Sequence, residues 1–295
     1  MTHSFKALGT IWWIEIFDEM DTESLDVTFA DIEHFVAEFE NRYSRFKPDS
    51  LISQLNSKRI LNNPDPHCMD FLTYGKSLFL RTGTHFNILT GHILEARGYD
   101  ANYSFTPKDE TRLTPGNPVA DLSITPDKIE LQHGNIDVGG YGKGYLIDEV
   151  ATRLQATHQL EYFVINAGGD IYASSKHEEP VEIYLEHPLQ EQTYIQKTPL
   201  LHQGFAASSP FKRQWKSAAG TVKNHIVQHN TASIATFVKA DSACVADVFA
   251  TVSLVCEPMR MKELVETEKL AVAFYDPNSN QLTSNESFFG SQNSL

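Results

Sequence analysis

The chain has 295 residues, 41% of them hydrophobic and 21% charged, enough for one large core or two intimately packed halves and too apolar for a disordered segment. With 24 Lys and Arg against 38 Asp and Glu, its formal charge of −14 argues against a non-specific hold on DNA or RNA phosphates, so no nucleic-acid partner is expected. No segment approaches the ~20 apolar residues of a membrane helix, and Met1 to Lys6 is not a charged region leading into an apolar stretch, so a soluble, cytoplasmic protein is expected.

In chain order, Gly9 to Phe17 reads as a strand, rich in β-branched and aromatic residues. A long helix follows: Leu25, Phe29, Ile32, Phe35 or Val36, Phe39, Tyr43 and Phe46 recur at three- and four-residue steps, with Asp21 or Thr22 placed to cap it. Pro48 ends it, and Asp49-Ser50 can cap a short helix through Leu55. Another helix spans about Met69 to Leu80, and the proline-rich stretch from Tyr99 to Pro126 reads as irregular. From Lys128 short strands dominate: 129–132, 136–138, 162–165, 181–184, 204–207, 224–227 and 233–237, with helices at 144–154 and about 242–255. The polar residues 277–295 are expected to be a surface tail after a domain covering 1–276. Strands and helices mix without regular βαβ alternation, which predicts an α+β fold.

Twelve histidines form no His-Glu-x-x-His motif, and Cys68, Cys244 and Cys256 have neither disulfide nor metal-clip spacing; buried thiols are the simple reading. Four segments carry chemistry. Asp137-Val-Gly-Gly-Tyr-Gly-Lys143-Gly144 lies between a predicted strand and a predicted helix. Its glycines let backbone approach a ligand, the helix start offers free amides to an anion, and Lys143 adds a charge. The spacing is not that of a Walker A loop, and a structural turn is an equal alternative. Asp247 is the one charged residue between Ser242 and Cys256, and Thr251 stands one turn on, on the same face. Two hard oxygens at that spacing suit Mg²⁺; a capping or lysine-paired aspartate is the alternative. Asn166-Ala-Gly-Gly-Asp170 follows a strand and can bind a ligand or simply turn the chain. His225 stands on an apolar strand, more often the place of a core histidine than of a catalyst.

Together and in this order these segments resemble the FAD:protein FMN transferases, the ApbE family. Phe5-x-x-Leu8-Gly9-Thr10 is similar to the family's Met-Gly-Thr strand. Tyr43-Ser44-Arg45-Phe46 with Asp49-Ser50-x-Ile52-Ser53-x-Leu55-Asn56 looks like its Phe-Ser-x-Phe and Asp-Ser-x-Ile-Ser-x-Leu-Asn block. His85-Phe86-Asn87-Ile88 resembles Ala-Phe-Asp-Ile, Asp137 to Gly144 resembles Asp-Leu-Gly-Gly-Ile-Ala-Lys-Gly, Asn166 to Asp170 resembles Asn-x-Gly-Gly-Asp, and Ala246 to Thr251 resembles Ala-Asp-Ala-x-Ala-Thr. The resemblance covers about residues 5 to 275.

It implies a T-fold-like α+β arrangement of mixed sheets with packed helices in a single intertwined domain, the site lying between two halves of the chain. It implies an enzyme that moves the FMN part of FAD onto a Thr or Ser hydroxyl of a target protein, with Mg²⁺ as cofactor and AMP as the product released. Position by position, Gly140 (through its carbonyl), Asp247 and Thr251 would hold the metal. Asp137, Lys143, Leu8, Phe46, His85, Phe86, Asn87, Asn166 and Ile226 would contact the nucleotide, and His225, with Asp137 as competitor, would take the hydroxyl proton. Departures cluster around the flavin pocket and His225: Val-Gln-His-Asn-Thr follows Ile226 where the family has Asp-Pro-x-Thr-Gly, Asn87 replaces Asp, Leu89 replaces Thr and His92 replaces Pro. Two alternatives share these residues: an FAD pyrophosphatase giving FMN and AMP, and a flavin-binding assembly protein without turnover. The oligomeric state stays open.

Overall fold

The computed structural model describes residues 1–100, 104, 106, 108–109, 112–177, 179–210, 214–216, 222–224 and 234–290, with backbone alone for 214–216 and 222–224. The chain opens with β1 (Thr2–Ala7), β2 (Thr10–Ile16), α1 (Thr22–Tyr43), α2 (Leu51–Lys58), β3 (Ile60–Asn62) and α3 (Pro66–Arg81). Then come α4 (Gly91–Ala96), α5 (Pro118–Asp121), β4 (Leu122–Ile124), β5 (Lys128–Leu131) and α6 (Gly142–Ala156). The strands β6 (Phe163–Ala167), β7 (Asp170–Ser174), β8 (Val181–Glu186), β9 (Tyr194–Leu200), β10 (Gln203–Ser208), β11 (Gln214–Lys216), β12 (Val222–Asn224) and β13 (Ala235–Ala240) follow. The chain ends through α7 (Ala243–Val252), α8 (Pro258–Thr267), β14 (Ala271–Asp276), β15 (Gln281–Ser284) and α9 (Glu286–Phe289). These divide into two compact units, each built from segments far apart in sequence: residues 1–38, 141–212 and 230–295 in the first, 39–140 and 213–229 in the second.

The first unit is organised on an eight-stranded sheet in the order β1-β2-β6-β7-β10-β13-β14-β15. Every pair in it is antiparallel. Alternation along β2 buries Trp12, Ile14 and Ile16 on the helical side, where α6 and α7 pack. The opposite face carries Ile171, Ala173, Phe205, Phe237 and Ala273 against Leu185 and Leu200 of the β8–β9 hairpin and Phe288 of α9. The expected tail therefore contributes an edge strand and a buried aromatic residue, because Leu282 and Phe288 supply the apolar contacts that its polar composition concealed.

Asp21, one of the two candidate caps, accepts the Ser24 backbone N–H at 2.8 Å and starts α1. Within the first unit α1 is anchored on α6 by Asp31, which accepts two guanidinium hydrogen bonds from Arg153, both 2.6 Å, and stands 2.8 Å from Nε2 of His158. Chiefly through the Arg153 bonds, the Asp31 carboxyl is held down at about 2.

The second unit carries the three-stranded sheet β3-β5-β4, the pair β11-β12, and α2 and α3 with a core of Ile52, Leu55, Phe71, Leu72, Leu78 and Ile129. Ser50 and Asp65 cap α2 and α3. The strand expected at 136–138 does not form. Ile136 instead exchanges two hydrogen bonds with the Asn56 side chain, at 2.7 and 2.9 Å, and the Asp137 N–H donates to the Ile88 carbonyl at 2.8 Å. A side-chain amide thus does locally what a neighbouring strand would do. Of the expected strand at 224–227, only Asn224 lies among the described residues, at the end of β12. The three cysteines are buried thiols, not joined in disulfides, and burial pushes the Cys68 thiol up to about 12. No helix among the described residues is long and apolar enough to cross a membrane.

One acid tests how α7 is held. Asp148 on α6 accepts the first two N–H groups of α7, from Ala243 at 2.7 Å and Cys244 at 2.9 Å, and burial pushes its carboxyl up to about 6. Because the folded value lies above the unfolded one, the folded state holds the extra proton, so this contribution is full below about 4 and is lost as pH rises through about 6. Asp148→Asn should remove roughly 1–3 kcal/mol of that pH dependence from urea-unfolding free energies measured between pH 4 and 7. A variant with the wild-type slope would refute the assignment.

Candidate active site

In the first unit, the candidate residues gather at one end of the sheet. Leu8 and Gly9 form the two-residue turn between β1 and β2, both with positive φ (49° and 71°). Gly168 and Gly169 make the matching turn between β6 and β7, with φ of 67° and 101°. The register Trp12↔Ala167 sets the two turns side by side. A Cβ on Gly168 would lie 2.3 Å from Thr10 Oγ1, so that position needs glycine for space as well as for φ. Asn166 uses its Oδ1 to accept the Gly169 N–H at 2.9 Å, which gives this side chain a turn-stabilising role. Asp170, directly after the turn, is buried and forms an ion pair with Lys143.

Lys143 occupies the first turn of α6, whose N-cap, Tyr141, supplies no side-chain acceptor. The leading amides, with Lys143 beside them and paired to Asp170, make a helix start of the kind that receives phosphate. Gly144 lets α7 come close: a Cβ there would lie 2.6 Å from Cys244 Cα. Cys244 Sγ in turn reaches the Tyr141 carbonyl at 3.5 Å. Asp247 is three residues further along α7 and Thr251 one turn beyond it; both are half-buried, and the Oδ2 of Asp247 is fully covered. The Thr236 and Ser253 hydroxyls both donate to the Ala250 carbonyl, at 2.9 and 2.7 Å, fixing the end of the helix beside Thr251. A carboxylate and a hydroxyl on one helix face are hard-oxygen donors of the kind Mg²⁺ takes when phosphates and water complete its shell, so these residues fit that ion. No group of three or more His, Cys, Asp or Glu suited to a metal occurs among the described residues.

In the second unit, Phe46, Phe86, Asn87, Asp137 and Gly140 fall together. A Cβ on Gly140 would lie 2.9 Å from the Phe86 ring. Asn87 donates to the Gly116 carbonyl at 2.8 Å and accepts the Leu89 N–H at 2.8 Å, so its amide is engaged with backbone on both sides. His85 is half-buried beside Phe86. One Asp137 oxygen pairs with Arg45 Nε, and the other accepts the Gly139 N–H at 2.8 Å. His225 and Ile226 lie outside the described residues.

Three residues of these sites were not singled out by sequence. Asp170 lay in the quoted Gly-Gly-Asp motif but read as part of a turn. Asp148 is one of several acids on an amphipathic helix, with nothing local to mark it as the cap of a distant one. Arg45 sat unremarked inside the Tyr-Ser-Arg-Phe block.

The ApbE family model matches residues 8–274. The chain is 24% identical to the FAD:protein FMN transferase of Haemophilus influenzae, covering 91% of this chain and 84% of that protein. It is 22% identical to the FAD:protein FMN transferase of Escherichia coli K12, with 90% and 81% covered. Among solved structures, the ApbE protein of Thermotoga maritima superposes with a TM-score of 0.84 at 17% identity, over 98% of this chain and 99% of that one. The apo flavinyl transferase ApbE of Pseudomonas stutzeri gives 0.74 at 19% identity, over 98% and 97%. The matched span and the shared fold place this chain in the ApbE family.

The turn beside β2 yields a stability test. Gly168→Ala should cost roughly 1–3 kcal/mol more than Gly169→Ala, since both positions have positive φ but only the first would drive a methyl group into Thr10. Equal losses by thermal unfolding would show that the close approach to Thr10 does not constrain the turn.

Proposed function

We propose that this chain is a Mg²⁺-dependent FAD:protein FMN transferase: it transfers the FMN portion of FAD to a threonine or serine hydroxyl of another protein and releases AMP. The observation that carries this reading is the packing of α6 on α7. A phosphate-ready helix start with Lys143 sits on the helix that presents Asp247 and Thr251 one turn apart. Membership of a family whose curated relatives are FAD:protein FMN transferases supports it.

In this reading Asp247 and Thr251 would hold Mg²⁺. The bound ion supplies charge neutralisation for a pyrophosphate and its leaving group. Lys143 exchanges part of its pairing with Asp170 for a phosphate oxygen, and Asp170 returns it to place when product leaves. The acceptor hydroxyl oxygen forms a bond to the FMN-side phosphorus while the bond to the AMP phosphate breaks, so AMP carries away the bridging oxygen. The hydroxyl proton goes to a base. Asp137 has one oxygen against Arg45 and the other on Gly139, which suits it to holding a ligand and its loop. His225 is therefore the base in this proposal, with an imidazole whose ordinary pKa lies near working pH.

Purified protein supplied with FAD and Mg²⁺ should release AMP, and chelation with EDTA should stop it. Asp247→Ala should lower that release at least about 100-fold while the thermal transition stays cooperative. A folded Asp247→Ala protein with wild-type AMP release would remove Asp247 from the metal site.

A further inference from the structure

We propose that Arg45 is a positioning residue for the nucleotide site: it acts through Asp137, fixing that carboxylate and the Gly139–Gly140 turn in one arrangement. The proposal rests on the reading of Asp137 as a contact to FAD. Arg45 has a side chain only 3% exposed, and among the described residues the groups it meets belong to the second unit. Its Nε donates to Asp137 Oδ2, one Nη donates to the Tyr99 carbonyl at 2.8 Å, and the other stands 3.7 Å from Glu95. The guanidinium also lies over the Phe46 ring, 4.2 Å from its centroid, and 5.2 Å from that of Tyr99. Phe46 and Tyr99 meet edge-on at 5.5 Å. One planar cation thus ties together the α1–α2 connection, the end of α4 and the loop entering α6.

Both backbones are already pinned without this contact. The Ser53 hydroxyl donates to the Arg45 carbonyl at 3.1 Å, and the Asp137 N–H donates to Ile88. What the guanidinium adds is the orientation of the carboxylate. With Oδ2 against Arg45 and Oδ1 on the Gly139 N–H, the lone pairs left on Asp137 point in fixed directions, ready to accept from a hydroxyl or N–H of a ligand. The missing side chain at Gly139 leaves space for this bond, since a Cβ there would lie 3.0 Å from Asp137 Oδ1. A buried ion pair is weak evidence for stability, because an apolar side chain could fill the same space at no desolvation cost. A positioning role accounts for the guanidinium where packing alone does not.

The test is a double-mutant cycle on FAD affinity, read by quenching of flavin fluorescence with Mg²⁺ present. It compares the wild type, Arg45→Lys, Asp137→Asn and the double variant, with Arg45→Met as a second probe of the same position. Circular dichroism melts establish that each variant is folded. Each single change should weaken FAD binding about 10–100-fold, and the double variant should bind no more weakly than the poorer single one. Arg45→Lys keeps the charge but loses the planar fork, so it should not restore wild-type affinity. Losses that multiply in the double variant, or wild-type affinity in folded Arg45→Lys or Arg45→Met, would overturn the proposal. A wild-type protein that binds no FAD would overturn the functional reading and this role with it; binding with an additive cycle would remove only the role of Arg45.

Discussion

The close crossing of α6 and α7 is the constraint on which the first unit's chemistry depends. Gly144 admits the Cys244 backbone to a distance no side chain would allow, and Asp148, one turn further along α6, receives the first amides of α7. These contacts fix where α7 starts and which face it turns. They therefore fix Asp247 and Thr251 relative to Lys143. The sheet supplies the rest: adjacent hairpin turns at 8–9 and 168–169 bring Asp170 to Lys143. Left-handed backbone at Leu8 and a glycine that cannot carry a methyl group at 168 show that this edge is built to a tight specification.

The second unit solves a related problem by different means. Among the described residues its loop from Ile136 to Gly140 pairs with no strand, and side chains hold it: Asn56 on Ile136 and Arg45 on Asp137. The α2 helix that carries Asn56 is set by its Ser50 cap, and the Ser53 hydroxyl ties the same helix to the Arg45 carbonyl. The Asp-Ser-x-Ile-Ser-x-Leu-Asn block thus reads as a bracket for the glycine loop. That gives several of the motif residues a physical task that their composition alone would not reveal.

How far the sequence is legible follows from the range of the forces involved. Helices α1, α2, α3, α6 and α7 were readable in the sequence, α1 from apolar spacing and α1 and α2 from caps, because these signals are local. Strand β2 was readable from its run of branched and aromatic residues. Strands β7 and β15 were not, since one begins on an aspartate after two glycines and the other is mostly polar; their sheet partners define them. Residues 136–138 look like a strand, but their backbone bonds go to Asn56 and Ile88, far along the chain. At the site, Lys143, Asp247 and Thr251 stood out because a charge on an apolar helix and a glycine-rich helix start carry their own chemistry. Arg45, Asp148 and Asp170 act on distant partners, and only folding shows what they hold.

The proposed role of these residues is group transfer rather than hydrolysis or simple binding. The most direct test is the intact mass of an acceptor protein containing a threonine that carries flavin in the cell, incubated with this protein, FAD and Mg²⁺. The account predicts an acceptor heavier by one FMN phosphodiester, with an equal amount of AMP. AMP released with no change in acceptor mass, together with free FMN, would contradict it and identify water as the group that accepts FMN.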